Sequence, residues 1–153
     1  MRSLGVRGWL LVARMGGWRL ALPLLRRALA LERLLRLVSS PRHRLRDPAR
    51  EELATRIAAR LWRGAPGPCL ERSLALHRQL GLGGAAPRLA IGAAHADDAL
   101  VAHAWVLLDG RALLEADDPA AEYRVVALFD EHGARLPVPS PGAGDAAPTA
   151  KTR

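Results

Sequence analysis

The sequence has a single cysteine, Cys69, among its 153 residues. One thiol cannot form a disulfide within the chain, and such usage is typical of a protein from a reducing compartment. The five histidines lack the spacing of metal ligands, and only one thiol is available beside them. We therefore expect neither a disulfide framework nor a metal site, and no cofactor.

The sequence also lacks a hydrophobic run long enough to cross a bilayer. Six arginines interrupt the apolar segment between Trp9 and Val38, whereas a membrane span needs about 18 uninterrupted apolar residues. Arg14 divides the apolar region that a signal peptide would need, and no convincing small-residue cleavage site follows it. The expected location is therefore the cytoplasm.

Acidic residues are scarce in the first half of the chain. Residues 1–63 hold fifteen arginines and four acidic residues, and residues 64–153 hold eight basic and eleven acidic ones, within a net charge of +8. A basic half suggests an acidic partner, a membrane surface or nucleic acid. The codon bias of a GC-rich genome, together with solvated helix faces, explains the same arginines without a partner.

Helical periodicity dominates the N-terminal region. Residues 20–38 predict one basic amphipathic helix that Ser39-Ser40-Pro41 ends, with apolar and basic residues on separate faces. The apolar face contains Leu24, Ala28, Leu31, Leu35 and Val38, and the basic face contains Arg19, Arg26 and Arg33. Such a helix binds anionic lipid, or packs on its own domain or on a partner protein.

Another helix is predicted to begin at Cys69. Residues 64–68 are rich in glycine and proline, and they break the preceding helix, which opens with Asp47 as N-cap and Pro48 at its first position. Residues 69–80 then show helical periodicity. A thiol in the first turn lies at the positive end of the helix dipole, which favours the reactive thiolate. A small buried apolar residue is the alternative interpretation of Cys69.

The second half of the chain has the pattern of strands. The candidates are residues 88–92, 100–108, 111–116 and 123–129, and Asp109-Gly110 is the strongest hairpin signal. Helices followed by an antiparallel sheet predict an α+β fold. We expect a basic helical region over residues 1–46, a catalytic core over 47–135, and a disordered tail rich in proline, glycine and alanine over 136–153.

A cysteine nucleophile needs an imidazole as its base and a third group that orients the ring. His103, on the second predicted strand, is the candidate base. The carboxylates that follow the hairpin, Glu115, Asp117 and Asp118, are candidates for the third group. A hydrogen-bonded structural histidine and solvated carboxylates are the alternative interpretations of these side chains.

The register of the hairpin decides among these carboxylates, because a slip of one residue turns every side chain to the opposite face. A two-residue turn pairs Leu108 with Arg111 and directs Glu115 away from His103. A three-residue loop pairs Leu107 with Arg111 and places Glu115 opposite His103. We favour the three-residue loop, because it puts a carboxylate beside the imidazole.

Three motifs together resemble a known family. They are Cys69-Leu70-Glu71-Arg72-Ser73-Leu74, Leu89-Ala90-Ile91-Gly92, and Ala102-His103-Ala104-Trp105-Val106 with Asp109-Gly110 after it. The combination is similar to the lasso-peptide biosynthesis B protein, in particular the stand-alone leader peptidase half of its split form. The likeness covers roughly residues 51–130.

The resemblance implies a transglutaminase-like, papain-related core in which the cysteine begins a helix packed on a small antiparallel sheet. It assigns catalysis to Cys69, His103 and Glu115, where the family usually has aspartate in place of the glutamate. No winged-helix leader-recognition module precedes this region, so a separate recognition protein is expected to bring the precursor leader peptide.

The family further implies that the product passes to an ATP-dependent lasso cyclase, and that cytoplasmic peptidase action precedes ring closure. The basic N-terminal helices fit a partner protein, an acidic leader or a membrane surface, and nucleic acid is not expected. Two other functions remain open at this point. They are transglutaminase-like acyl transfer to an amine, and a non-catalytic basic module that binds lipid or nucleic acid.

Overall fold

The chain forms helices first and a sheet second. A computed structural model describes residues 6–39, 45–63, 69–97 and 99–138. Within these ranges the helices are α1 (Val6–Ala28), α2 (Leu31–Val38), α3 (Pro48–Leu61) and α4 (Cys69–Leu82). The strands are β1 (Arg88–Ala96), β2 (Ala99–Leu108), β3 (Arg111–Leu113), β4 (Arg124–Phe129) and β5 (Arg135–Leu136). This order confirms the predicted α+β class.

The N-terminal helix is divided, so the prediction of one helix over residues 20–38 is wrong. Ala30 has φ −62° and ψ 146°, which is extended backbone, and it separates α1 from α2. The turn of the chain at Ala30 buries Leu34, Leu35 and Val38 of α2 in the core. The apolar periodicity continues across this break, which is why the sequence pattern did not reveal it.

Helix α3 begins as its sequence predicts. The side chain of Asp47 accepts a hydrogen bond from the backbone N–H of Arg50 at 3.1 Å, and Pro48 occupies the first turn. Such a cap typically contributes about 1 kcal/mol to stability. The predicted stop at Gly64 lies outside the described residues, as do residues 65–68 before Cys69.

An arginine joins the start of α3 to the β2–β3 turn. Arg46 donates two hydrogen bonds to Glu51, at 2.8 and 3.0 Å, and two to Asp109, at 2.6 and 3.3 Å. The hydrogen bond from Arg46 lowers the pKa of Asp109. This contact holds the tip of the hairpin beside the helical layer.

The five described strands form an antiparallel sheet in the order β3-β2-β1-β4-β5. Strand β5 was missed, because a two-residue strand carries no alternation to detect. It follows a turn in which Asp130 Oδ1 accepts from the backbone N–H groups of His132 and Ala134. Leu136 of β5 pairs with Leu128, beyond the predicted domain boundary at residue 135. The predicted tail beyond Val138 lies outside the described residues.

One face of the sheet packs against the helices and forms the larger core. All four described helices contribute to it, together with β1, β2 and β4. Its members include Leu11, Met15, Leu22, Leu34, Leu35, Leu74, Leu76, Leu80, Leu89, Val106 and Phe129. A smaller cluster includes Ala90, Trp105 and Leu128, with Tyr123 packed beside it. The division of the chain at residues 46 and 135 stays a prediction.

Candidate active site

Cys69 is the first residue of α4 and its side chain is half-buried, with a free thiol. The residues that follow it at helical spacing, Ser73, Leu76 and Leu80, are buried. Cys69 therefore stands at the N-terminal end of the face by which α4 packs on the rest of the protein, as the periodicity predicts. At that end the helix dipole and the unpaired backbone N–H groups favour negative charge.

Two side chains in the first turns of α4 form hydrogen bonds to β2 and to the segment after β3. The hydroxyl of Ser73 donates to the carbonyl oxygen of Ala104 at 2.9 Å, and Arg72 donates to Oε1 of Glu115. Residues three and four positions apart lie on the same face of an α-helix. Cys69 therefore shares its helix face with Arg72 and Ser73. Their hydrogen-bond partners are Glu115, which contacts His103, and Ala104, which follows His103 in the chain.

His103 and Glu115 are in direct contact. Nε2 of His103 lies 3.2 Å from Oε2 of Glu115, and both side chains are largely buried. A carboxylate on Nε2 fixes the orientation of the ring and stabilises the imidazolium form. Because Nε2 is engaged in this contact, Nδ1 is the ring nitrogen that can exchange a proton with a thiol.

The predicted hairpin register is wrong, although the contact it was meant to explain exists. Leu108 pairs with Arg111, so Asp109-Gly110 is a two-residue turn. Both turn residues have positive φ, 51° and 79°, as a type I′ turn requires. Alternation alone would direct Glu115 away from His103, but β3 ends at Leu113 and Leu114 has a φ of 63°. The left-handed residue breaks the alternation and turns Glu115 back.

Arg72 is a further member of the site that the sequence interpretation missed. Arg72, Glu115 and His103 lie in a row. Arg72 donates to Oε1 of Glu115, while Oε2 faces His103. Both oxygens of the carboxylate are thus occupied, which fixes its plane. The signal was available in the sequence, since Arg72 lies three residues after Cys69 and therefore one helical turn from it.

Two aromatic rings enclose the imidazole. The ring of Trp105 stacks on that of His103 at 5.9 Å between centroids with 18° between planes, and the ring of Tyr123 lies at 5.2 Å with a 36° tilt. Trp105 is fully buried. These rings restrict access of water to the contact between His103 and Glu115, which strengthens it by lowering the local dielectric constant.

Gly92 makes room for both rings. It lies opposite His103 in the pairing of β1 with β2. A Cβ at Gly92 would lie 2.7 Å from Cβ of Tyr123 and 2.9 Å from the ring of Trp105. A glycine inside a strand often marks such a close approach, so this position is readable in the sequence once the strand is assigned.

The other candidates lie elsewhere. Asp117 is exposed, and Asp118 caps the turn at Pro119–Ala121 by accepting from the backbone N–H of Ala120. His77 is buried in α4, where its Nε2 donates to the carbonyl oxygen of Asp130 at 3.0 Å and burial lowers its pKa. Of the three carboxylates considered, the structure brings Glu115 to His103. The described residues contain no cluster of three side chains suited to a metal ion.

Comparison with known families relates this chain to a superfamily. A family model described as the Transglutaminase-like superfamily matches residues 12–128, which is more than half of the chain. The matched segment contains Cys69, His103 and Glu115. No curated protein and no solved structure gave a significant match.

Proposed function

The chain belongs to the transglutaminase-like superfamily, and on that premise we propose that it is a cysteine peptidase that removes the leader from a lasso-peptide precursor. The superfamily includes cysteine peptidases and acyltransferases, typically with a Cys-His-Asp triad. The observation that carries the proposal is the contact between His103 and Glu115, with the cysteine helix fastened beside it through Arg72. The resemblance of the three motifs to leader peptidases supplies the substrate class.

In the acylation step, Sγ of Cys69 attacks the scissile carbonyl carbon as a thiolate. The thiolate's proton resides on Nδ1 of His103, and Glu115 stabilises the resulting imidazolium from the other side of the ring. The backbone N–H of Cys69, at the start of α4, donates to the oxyanion that forms. His103 then gives its proton to the departing amine, which leaves the leader as a thioester on Cys69.

In the deacylation step, His103 accepts a proton from water, and the resulting hydroxide attacks the thioester carbon. The bond to sulfur breaks, the leader departs as an acid, and Cys69 regains its thiolate with the proton on His103. The line from Arg72 through Glu115 to His103 keeps the ring in one orientation through both steps. Arg72 is a positioning residue in this scheme, because it acts through Glu115.

Glutamate is one methylene longer than the family's aspartate. The carboxylate of Glu115 nonetheless lies 3.2 Å from Nε2 of His103. The substitution is therefore compatible with the orienting role.

The proposal includes partners. The precursor leader peptide is the substrate, a separate recognition protein delivers it, and the freed core peptide passes to the ATP-dependent cyclase in the cytoplasm. What supports this arrangement is the resemblance to the split family form, in which recognition and proteolysis are on different chains.

Acyl transfer to an amine is the second candidate function, because it uses the same three residues and the superfamily contains acyltransferases. The two functions differ only in what attacks the thioester. Mass spectrometry separates them, since peptidase action gives a hydrolysed leader, whereas transferase action at a glutamine gives loss of ammonia and a new isopeptide bond.

The test combines the purified protein with a precursor and a recognition protein encoded beside its gene. We expect the precursor to be cleaved into leader and core. Liquid chromatography with mass spectrometry measures both products. Cys69→Ala should abolish cleavage, and Asp117→Asn, which removes an exposed carboxylate of the same loop, should retain the wild-type rate. Cleavage by Cys69→Ala at the wild-type rate overturns the proposal.

A further inference from the structure

Helix α1 exposes large apolar side chains on the side that faces away from the core. Leu11, Met15 and Leu22 on its inner side are buried. On its outer side the exposed fractions are 78% for Val6, 65% for Trp9, 59% for Leu10, 78% for Leu20 and 67% for Leu24. A helix that is apolar on both sides is normally covered on both. An exposed patch of this kind marks a binding surface.

The outer residues form one stripe. At about 100° per residue, Val6, Leu10, Leu20 and Leu24 project within an arc of roughly 80°, and Trp9 borders that arc. With a rise of about 1.5 Å per residue, the stripe is about 27 Å long. It is a convex ridge along a single helix, which contains Pro23 near its C-terminal end, and such a ridge suits a flat surface.

The middle of the stripe has no large side chain. Gly16 and Gly17 lie there, and a Cβ added at either would have no neighbour within 4 Å. Protein interfaces usually place their aromatic or aliphatic anchors at the centre, whereas here the large side chains stand at the two ends. Fluid acyl chains can pack against this uneven stripe, because they need no surface of complementary shape.

The charges around the stripe favour an anionic surface. Arg14 and Arg27 flank it, α1 contains no acidic residue, and neither arginine has an acidic partner among the described residues. Burial lowers the pKa of Arg78, and the nearby charge of Arg14 lowers it further. A second copy of this chain would bring these arginines together and be repelled. An anionic lipid surface attracts each of them by about 1 kcal/mol.

We propose that this outer face of α1 binds peripherally to a membrane that contains anionic phospholipid. Val6, Trp9, Leu10, Leu20 and Leu24 enter the boundary between headgroups and acyl chains, and Arg14 and Arg27 pair with phosphates. In an ordinary interfacial helix the side that faces away from the lipid is polar, whereas in α1 that side packs on the folded domain. The helix lies along the surface, since no described helix is long and apolar enough to cross a membrane.

The test is flotation of the full-length protein with vesicles of phosphatidylglycerol and phosphatidylcholine, and with vesicles of phosphatidylcholine alone. We expect binding to the anionic vesicles that weakens as salt rises. The variant Leu20→Glu/Leu24→Glu should bind at least tenfold more weakly. Leu100→Glu is the matched control, because Leu100 is 70% exposed but lies on β2, and it should bind as the wild type does.

Both variants replace exposed leucines, so circular dichroism and thermal unfolding should match the wild type. The proposal is wrong if the wild type does not float with anionic vesicles, or if Leu20→Glu/Leu24→Glu floats equally well. It is also wrong if sedimentation without lipid shows a dimer or a partner complex that this variant alone disrupts, because a protein then covers the face. None of these outcomes depends on peptidase activity.

Discussion

The carboxylate of Glu115 lies 3.2 Å from Nε2 of His103, although the register of the β2–β3 hairpin directs residue 115 away from residue 103. The contact exists because the strand ends early and Leu114 adopts a φ of 63°. Leucine rarely adopts that conformation, which costs about 1–2 kcal/mol for a residue with a Cβ. The strained backbone of Leu114 therefore directs the carboxylate of Glu115 towards His103.

Substitution of Leu114 tests this relationship. Leu114→Val keeps an apolar side chain but adds β-branching, so it should resist positive φ, release Glu115 from His103 and lower the cleavage rate at least tenfold. Leu114→Gly accepts positive φ and should keep a rate within about threefold of wild type. Steady-state cleavage of the precursor measures both. Equal rates for the two variants would show that the backbone of Leu114 does not position Glu115.

Much of the fold was predictable because its signals are local. Asp47 and Pro48 mark the start of α3, Asp109-Gly110 marks a turn, and the glycine- and proline-rich segment before Cys69 marks the start of α4. The break at Ala30 was not predictable, since the apolar period runs through it and the bend depends on packing of α2 against the rest of the core.

The contact between His103 and Glu115 could be predicted from the sequence, but the backbone geometry that produces it could not. The motifs and the resemblance predict Cys69, His103 and Glu115, but the three-residue loop is favoured because it puts a carboxylate beside the imidazole, and the hairpin has the other register. The alternation of side chains along a strand does not predict the positive φ of Leu114, because leucine is not a residue type that favours this conformation. Helical spacing places Arg72 one turn from Cys69, but its contact with Glu115 and the contact of Tyr123 with His103 depend on how α4, the sheet and the loop before β4 pack together.

Gly92→Ala should disturb the aromatic enclosure of His103. Its Cβ would meet Tyr123 at 2.7 Å, so the rings must shift, and we expect a loss of about 1–3 kcal/mol in stability together with slower cleavage. Gly16→Ala is the control, since its Cβ meets nothing within 4 Å. That change should leave stability unchanged or raise it by up to about 1 kcal/mol. Chemical denaturation measures both, and equal effects would show that Gly92 is not sterically required.

His77 should make the folded protein sensitive to mild acid. Burial lowers the pKa of His77 in the folded state below the ordinary value of 6.5, so the unfolded state binds the proton first as pH falls. Stability therefore declines as pH drops below about 6.5, by at most about 1.4 kcal/mol per pH unit from this one group. At pH 8 the group is neutral in both states and contributes no such slope.

His77→Gln removes the titrating group and keeps an N–H that can donate to the carbonyl oxygen of Asp130. Urea denaturation of both proteins at pH 8, 6.5 and 5 measures the difference between their stabilities. We expect that difference to change in favour of His77→Gln as pH falls. If it stays constant with pH, the buried neutral state of His77 does not influence stability.

The most direct measurement is the rate at which iodoacetamide alkylates the protein, because Cys69 is its only thiol and neither precursor nor partner is needed. At pH 6 we expect the wild type to react at least tenfold faster than His103→Gln, with Glu115→Gln between them. Mass spectrometry confirms the modified residue, and circular dichroism confirms folding. If the wild type and His103→Gln react at the same rate, and that rate rises with pH as for an unassisted thiol, Cys69 and His103 do not form a catalytic pair.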